Sequence, residues 1–509
     1  MLEQASSLNL VLCGVGAALL AGVLLRRRHS LPLPPGPPSL PIIGGLLSMP
    51  SEKEWLTFAE WGRRYSDICS VSVLGQTMII INSPRIATDL LDRRSAIYSD
   101  RPSIAFGGDF VGWSRTTVLL PYGARHRASR RLMQQVFGTQ SAVHKFDEIE
   151  ESEVHKLLKD LLDTPDDFAD HVRHITGSII LRISYGYHAQ PHNDPFIELA
   201  NEATEQFAMA TSPGRFLANL VPPLLALPDW FPGATFKSLG RTWRATLDCM
   251  ADLPYEFVKS QLSDGTAESS FTSNILEARK DITTDEEFDL KWSAASLYSG
   301  GADTTVASIN AFIRFMAANP DVQARAQAEL DGVVGTGRLP TMADRPHLPY
   351  MNALALEVLR SHVVVPTGAP HRVMEHDVYE GHFIPKGSLI MPILWSMLHD
   401  ERTYRQPMEF RPERFLAVEG RQPERDPRTI CFGFGRRICP GRELADISLF
   451  FACASILSVF EIGRCKDGGV EVAPVEGQTS GSISHPLTFK CSIRPRAAKA
   501  AALIRDVHE

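Results

Sequence analysis

The chain has 509 residues, 44% hydrophobic and 22% charged, with a formal net charge of −7. That is long enough for a large buried core and by length alone for two or three domains, and the acidic balance gives no argument for nucleic acid as a partner. Its eight cysteines include no C-x-x-C pair, and no N-x-S/T sequon is present, which suits a reducing compartment and argues against a disulfide framework or a closed zinc site. Leu8 to Leu25 is eighteen residues without a charge, at ~1.5 Å per residue nearly enough to span a ~30 Å hydrocarbon layer. Arg26, Arg27, Arg28 and His29 follow it, so the N-terminus is expected on the lumenal side and the rest in the cytosol. A cleaved signal peptide would carry its charges ahead of a shorter apolar run, so a retained anchor is the better reading. Leu31 to Pro38, LPLPPGPP, then reads as a stiff polyproline-like hinge. The expected organisation is a lumenal segment 1–7, an anchor 8–25, a basic and proline-rich hinge 26–38, and one large domain 39–509.

Trp55 to Tyr65 has helical spacing, and Cys69–Val73 with Thr77–Ile81 around Gly75 predicts a hairpin. Ser103 to Val118 reads as a loop in which Phe106, Phe110 and Trp113 stand among glycines. Tyr122 to Phe137 is helical and carries Arg125, Arg127, Arg130 and Arg131, either a solvated basic face or an anion site. From Asp147 to Ser270 helical patterns alternate with breaks. Within them Leu220 to Gly233, LVPPLLALPDWFPG, is either core or an interfacial patch, and the anchor favours the latter. The longest helical pattern runs from Asp285 to Asn319, with Gly300, Gly301, Ala302, Asp303, Thr304 and Thr305 near its middle. Two glycines inside a helix cost about 1 kcal/mol each relative to alanine. Close helix packing or space for a ligand would compensate. Thr304 can bond back to a carbonyl or to a bound oxygen, and Asp303 can accept and pass on a proton. Tyr350 to Arg360 places Glu357 and Arg360 on one helix face. Pro370-His371-Arg372 and Asp377 to Met391 read as strands and turns.

Cys431 to Ala445 is CFGFGRRICPGRELA. Pro440 after Cys439 predicts a helix beginning there, with Cys439 at the N-cap and Pro440 in the first turn. Unpaired N–H groups, the helix dipole and Arg436, Arg437 and Arg442 would then favour thiolate. Gly433, Gly435 and Gly441 let a flat group approach the sulfur. A metal held by one cysteine takes its other ligands elsewhere, as haem iron does from its porphyrin. Phe432, Gly435, Arg437, Cys439 and Gly441 stand in the spacing F-x-x-G-x-R-x-C-x-G, which resembles the haem-binding signature of the cytochrome P450 family.

The resemblance extends along the chain and looks closest to membrane-bound fungal enzymes of specialised metabolism. The G-G-A-D-T-T run is similar to the family's oxygen-activation motif, which implies catalytic roles for Asp303 and Thr304. Phe410 to Phe415 resembles the F-x-P-x-R-F element, whose arginine, here Arg414, completes a structural triad with Glu357 and Arg360. The helix with Arg130 resembles W-R-x-x-R, with His126 where the family usually has tryptophan. The resemblance implies haem contacts from Cys439 as axial ligand and from His126, Arg130, His371, Arg372, Phe432, Gly435 and Arg437. It implies a mainly helical fold with a small β-rich lobe, haem between the Asp303 and Cys439 helices, and a substrate pocket from Phe106, Phe110, Trp113, Leu297, Ala302, Val365 and Thr367.

The implied reaction is insertion of one oxygen atom from O2 into a hydrophobic small molecule, with haem b as cofactor and thiolate donation favouring O–O cleavage. A terpenoid is the favoured substrate class, with indoles, polyketides or other aromatic metabolites behind. No strand-linked G-x-G-x-x-G is present, so electrons from NADPH are expected through a separate NADPH-cytochrome P450 reductase docking on a basic face. Localisation follows as a single-pass endoplasmic reticulum protein in contact with membrane lipid. A non-oxygenating haem carrier would need neither Asp303 nor Thr304, and members that isomerise or dehydrate often lack that pair.

Overall fold

The computed structural model describes residues 31–506, apart from 213, 214, 280, 468 and 469. The expected anchor 8–25 lies outside the described residues, and among those described no helix is long and apolar enough to cross a membrane.

The long helix forms as its pattern predicts, over Thr284–Ala318, and begins in a capping box. The Thr283 hydroxyl accepts from the Glu286 N–H and the Glu286 carboxylate accepts from the Thr283 N–H, so two N-terminal donors are satisfied. Its flanks are covered by Phe168–Tyr185, Pro195–Thr211, Thr235–Asp264 and Ala124–Phe137, and by Arg442–Val459, which follows the Cys439 loop. Buried apolar side chains of these helices form one large cluster, with Val306, Ile309, Phe312, Ile313 and Met316 of the long helix in its centre. Arg442–Val459 is apolar almost all round, as a helix enclosed by others must be.

The β-rich lobe is built from two stretches far apart in the chain. Ile68–Val73 and Gln76–Ile81 pair as the expected hairpin, with Leu74 and Gly75 both at positive φ in its two-residue turn. Gln76–Ile81 then pairs in parallel with Leu389–Pro392, which pairs antiparallel with His371–Arg372. Asp377–Tyr379 and His382–Ile384 form a separate small hairpin. A three-stranded sheet of Val470–Val472, Phe460–Asp467 and Cys491–Pro495 closes the C-terminal third.

Two local expectations are corrected. Ala105–Phe110 is a turn of π-helix rather than an open loop, and Gly107 is there for packing, since a Cβ would lie 2.7 Å from the Ala210 carbonyl oxygen. The Cys439-side helix starts at Arg442 with Gly441 as N-cap, so neither Cys439 nor Pro440 is in it.

Candidate active site

Cys439 is presented by a loop that folds back on itself. Its N–H donates to the Phe432 carbonyl at 2.8 Å, and Gly435–Arg437 form a single 3-10 turn between the two. Gly435 has φ +58°, and a Cβ there would lie 2.0 Å from the Leu91 carbonyl oxygen, so only glycine lets the loop seat against that backbone. The sulfur is half-buried. Burial pushes its thiol up from the ordinary range, while the Gly441 N–H and the Arg130 and Arg442 charges pull it down. Burial wins, contrary to the expectation that loop and arginines alone would favour thiolate. A cation on the sulfur reverses that balance, because coordination deprotonates a thiol outright.

Around His126 the chain gathers cations without enough anions. His126 is buried, and neither ring nitrogen has a hydrogen-bond partner. Burial, then the charges of Arg437, Arg130 and Arg101, push its imidazole down to about 3, so it is neutral. Arg437 donates to the carbonyls of Ser99 at 2.7 Å, Thr117 at 3.2 Å and Leu120 at 2.7 Å. Arg101, which the sequence reading did not single out, donates to Val118, Ala369 and Pro370 carbonyls at 2.9, 2.6 and 2.6 Å. Burial, with the Arg437 charge, brings Arg101 down to about 9, and burial, with the Arg130 charge, brings Arg437 down to about 10. Arg130 makes no hydrogen bond or ion pair with any described residue, and burial lowers it as well. A buried cation without a counter-charge is costly.

His371 is also buried, with Nδ1 donating to the Tyr98 carbonyl at 2.7 Å. Arg372 differs from the expectation. It is half-exposed and already neutralised by Asp100, to which its Nε and Nη2 both donate. Orphaned imidazole nitrogens and three under-neutralised guanidinium groups fit a ligand carrying carboxylates, and the two propionates of haem are such groups.

The acid–threonine part of the site is carried by the long helix, which packs against the helix following Cys439. Gly300 and Gly301 divide the two explanations between them. A Cβ at Gly301 would lie 3.0 Å from Cδ1 and Cγ1 of Ile180, which is close helix packing, whereas nothing lies within 4 Å of a Cβ at Gly300. Thr304 Oγ1 donates back to the Gly300 carbonyl at 2.8 Å. Asp303 is engaged at both oxygens, by Arg173 Nη1 at 3.1 Å and His485 Nε2 at 3.0 Å. Burial would raise its carboxyl, but the His485 hydrogen bond and the two neighbouring charges hold it below the ordinary carboxylate range.

The expected triad closes. Glu357 accepts from Arg360 Nε at 2.7 Å, Arg360 Nη2 at 2.9 Å and Arg414 Nε at 3.0 Å, with all three residues buried. Glu357 also accepts from the Arg411 N–H at 2.7 Å, and Arg360 Nη1 reaches the Leu398 and Pro407 carbonyls. An exposed ion pair, the ordinary reading of E-x-x-R, is excluded by this burial.

The proposed pocket residues separate. Phe106 is 0% exposed and enclosed by Phe110, Phe216, Phe236 and Trp243, so it braces the π-helical turn and does not line a cavity. Trp113 packs on Phe207 and is also buried. Leu297 and Ala302 lie on the long helix and are buried in the same core cluster, and Phe110, Val365 and Thr367 are half-buried. On the outer side of the Cys439 loop, Arg345, Arg428, Arg442, Phe432, Ile438 and Asp446 line a groove of about 640 Å³.

Comparison with known proteins agrees with this geometry. The cytochrome P450 family model matches residues 34–491. The chain is 46% identical over 509 residues to cytochrome P450 monooxygenase 208 of Postia placenta, covering 99% of both chains. It is 45% identical over 499 residues to cytochrome P450 monooxygenase claR of Ampulloclitocybe clavipes, covering 98% of this chain and 92% of that one. It is 41% identical over 507 residues to cytochrome P450 monooxygenase ppsD of Aspergillus oryzae, covering 98% and 96%. With a cysteine loop, a cationic cradle and an acid–threonine turn set about one long helix, the chain belongs to the cytochrome P450 family and is an oxidoreductase of its monooxygenase class.

Proposed function

We propose that the chain hydroxylates a hydrophobic small molecule in fungal specialised metabolism, with a terpenoid as the favoured class. The observation that carries this reading is the open space at Gly300 beside Asp303 and Thr304, on the helix that packs against the one following Cys439. Cys439 would hold the haem iron, and Arg101, Arg130, Arg437, His126 and His371 would hold its carboxylates. Haem bound there supplies O2 activation, favoured by thiolate donation. The chain's own residues do the rest. Gly300 leaves room for substrate against the helix, Thr304 offers a hydroxyl held by its bond to the Gly300 carbonyl, and Asp303 carries a proton at Oδ1 or Oδ2. Leu297, Ala302, Val365 and Thr367 would give the substrate apolar contacts.

Exposure supports a membrane-facing side: Trp230 is 80% exposed, and Phe231, Leu217, Leu220 and Val221 are exposed with it. With the uncharged run 8–25 this favours an endoplasmic reticulum anchor and entry of substrate from lipid. The groove beside the Cys439 loop pairs Arg345 and Arg428 with Asp446 and Arg442 with Glu443, so it offers the reductase a mixed-charge docking face.

The test is a reduced, carbon-monoxide difference spectrum of microsomes expressing the full chain beside Cys439→Ser, followed by terpene screening with a reductase. A thiolate-type Soret band lost in Cys439→Ser is expected. A histidine-type band, or folded protein without haem, overturns the reading.

A further inference from the structure

Asp303 has two partners, and they differ in what they can do with a proton. Arg173 reaches it from Phe168–Tyr185, and its guanidinium does not release a proton at any physiological pH, so it can only orient and neutralise. His485 reaches it from the segment 477–487, and an imidazole both donates and accepts near neutrality. That segment is pinned at several points. Thr479 N–H donates to the His485 carbonyl at 2.8 Å, His485 N–H to Thr479 Oγ1 at 3.0 Å, and Ser484 N–H to the Val364 carbonyl at 2.8 Å. The side chain of His485 is 25% exposed and that of Asp303 14% exposed, so the imidazole has water on one side and the carboxylate on the other.

The charged and titratable groups facing the pair are few. Arg173 stands across the helix interface. His362 donates from Nε2 to the Ser484 carbonyl at 3.0 Å and, pushed down to about 3 by burial and by Arg314, is neutral.

We propose that His485 is the relay partner of Asp303, passing protons from solvent to its carboxylate. This rests on the monooxygenase reading. The imidazolium gives its Nε2 proton to Oδ2 of Asp303, the carboxyl passes one proton inward, and hydronium from solvent reprotonates the bare Nε2 while the Nδ1 proton stays in place. Carboxylate and imidazolium are thereby restored for each proton delivered.

The test uses the full chain in liposomes with NADPH-cytochrome P450 reductase and no organic substrate. NADPH-driven O2 consumption is measured from about pH 5.5 to pH 8, across the histidine range, in H2O and D2O. Rates are normalised to the carbon-monoxide band, and the reductase's own rate on cytochrome c is measured at each pH. The wild-type rate should vary with pH and slow in D2O. His485→Gln keeps a hydrogen-bond donor for Asp303 but cannot relay. Its rate should fall tenfold or more, in keeping with the ~10²–10⁴-fold scale of acid–base catalysis, and lose the pH limb. Asp303→Asn combined with His485→Gln should be no slower than Asp303→Asn alone. A glutamine variant with unchanged rate and pH profile shows a mere strut and overturns the proposal. So does a wild-type profile flat in pH and indifferent to D2O, which decides the matter even where the variant fails to hold haem. Absence of a thiolate-type band in the wild type instead removes the monooxygenase reading beneath it.

Discussion

Gly300 and Gly301 are adjacent in one helix, yet alanine should act on them in opposite senses. Each replacement gains about 1 kcal/mol of helix propensity, because glycine loses more backbone freedom on folding. At Gly300 no protein atom lies within 4 Å of the new methyl, so nothing in the protein offsets the gain. At Gly301 the methyl meets Ile180 at 3.0 Å, and Ile180 is only 4% exposed, so relief requires moving packed helix. Overpacking of that kind costs about 1–3 kcal/mol. The net effect there lies between neutral and a loss of about 2 kcal/mol, and the two variants differ by about 1–3 kcal/mol. Urea midpoints of the haem-loaded chain, followed by far-ultraviolet circular dichroism and by the carbon-monoxide band, compare them directly. Gly300→Ala should also lower turnover, since its methyl enters the substrate's space. Equal midpoints, or a Gly300→Ala chain less stable than Gly301→Ala, would refute the division of roles between the two positions.

Removing the carboxylate at Glu357 leaves Arg360 buried without a counter-charge while Arg414 keeps Glu424, so Glu357→Gln should lose on the order of 3–5 kcal/mol, seen as loss of the carbon-monoxide band during mild heating. Gly435→Ala combines a left-handed φ with a clash against the Leu91 carbonyl, and should fail to retain haem in pull-down and spectrum. Glu150 is fully buried, with Ser448 donating to one oxygen and no partner for the other; burial pushes its carboxyl up to about 8. The folded state therefore keeps a proton that the unfolded chain loses above about pH 4.3, and stability should fall as pH rises from there to about 8. The slope is at most ~1.4 kcal/mol per pH unit, and Glu150→Gln should flatten it in midpoint-against-pH measurements.

The parts legible in the sequence are those in which spacing alone carries the structure. The long helix has uninterrupted apolar periodicity, and its observed bounds differ from the expected ones by one residue at each end. Glu357 and Arg360 share a helix face by their spacing, and Arg414 lies in a short motif of its own. What could not be read is convergence. Arg101 is a single arginine before a proline, and its burial depends on carbonyls at 118, 369 and 370 arriving from two other segments. His485 lies 182 positions from Asp303, in a run of serines and glycines without periodicity. Arg372 looked available because nothing local revealed that Asp100 bridges to its backbone and side chain alike. The early helix start at Pro440 failed for a local reason: Ile438 is extended, with ψ near 143°, and the chain turns through Pro440 and Gly441 before helix begins. Gly107 and Gly108 suggested a loop, whereas Gly107 serves close contact with Ala210.

The parallel pairing of Gln76–Ile81 with Leu389–Pro392 has a consequence for biosynthesis. About 310 residues separate the partners, so at ~5–20 residues per second the first strand waits roughly 15–60 s on the ribosome before its neighbour emerges. During that interval Met78, Ile79, Ile80 and Ile81 present an apolar edge able to pair with any other nascent strand. Yield in a foreign host should therefore depend on how well that edge is shielded while translation continues, and co-expressed chaperones should raise it more than a stronger promoter does.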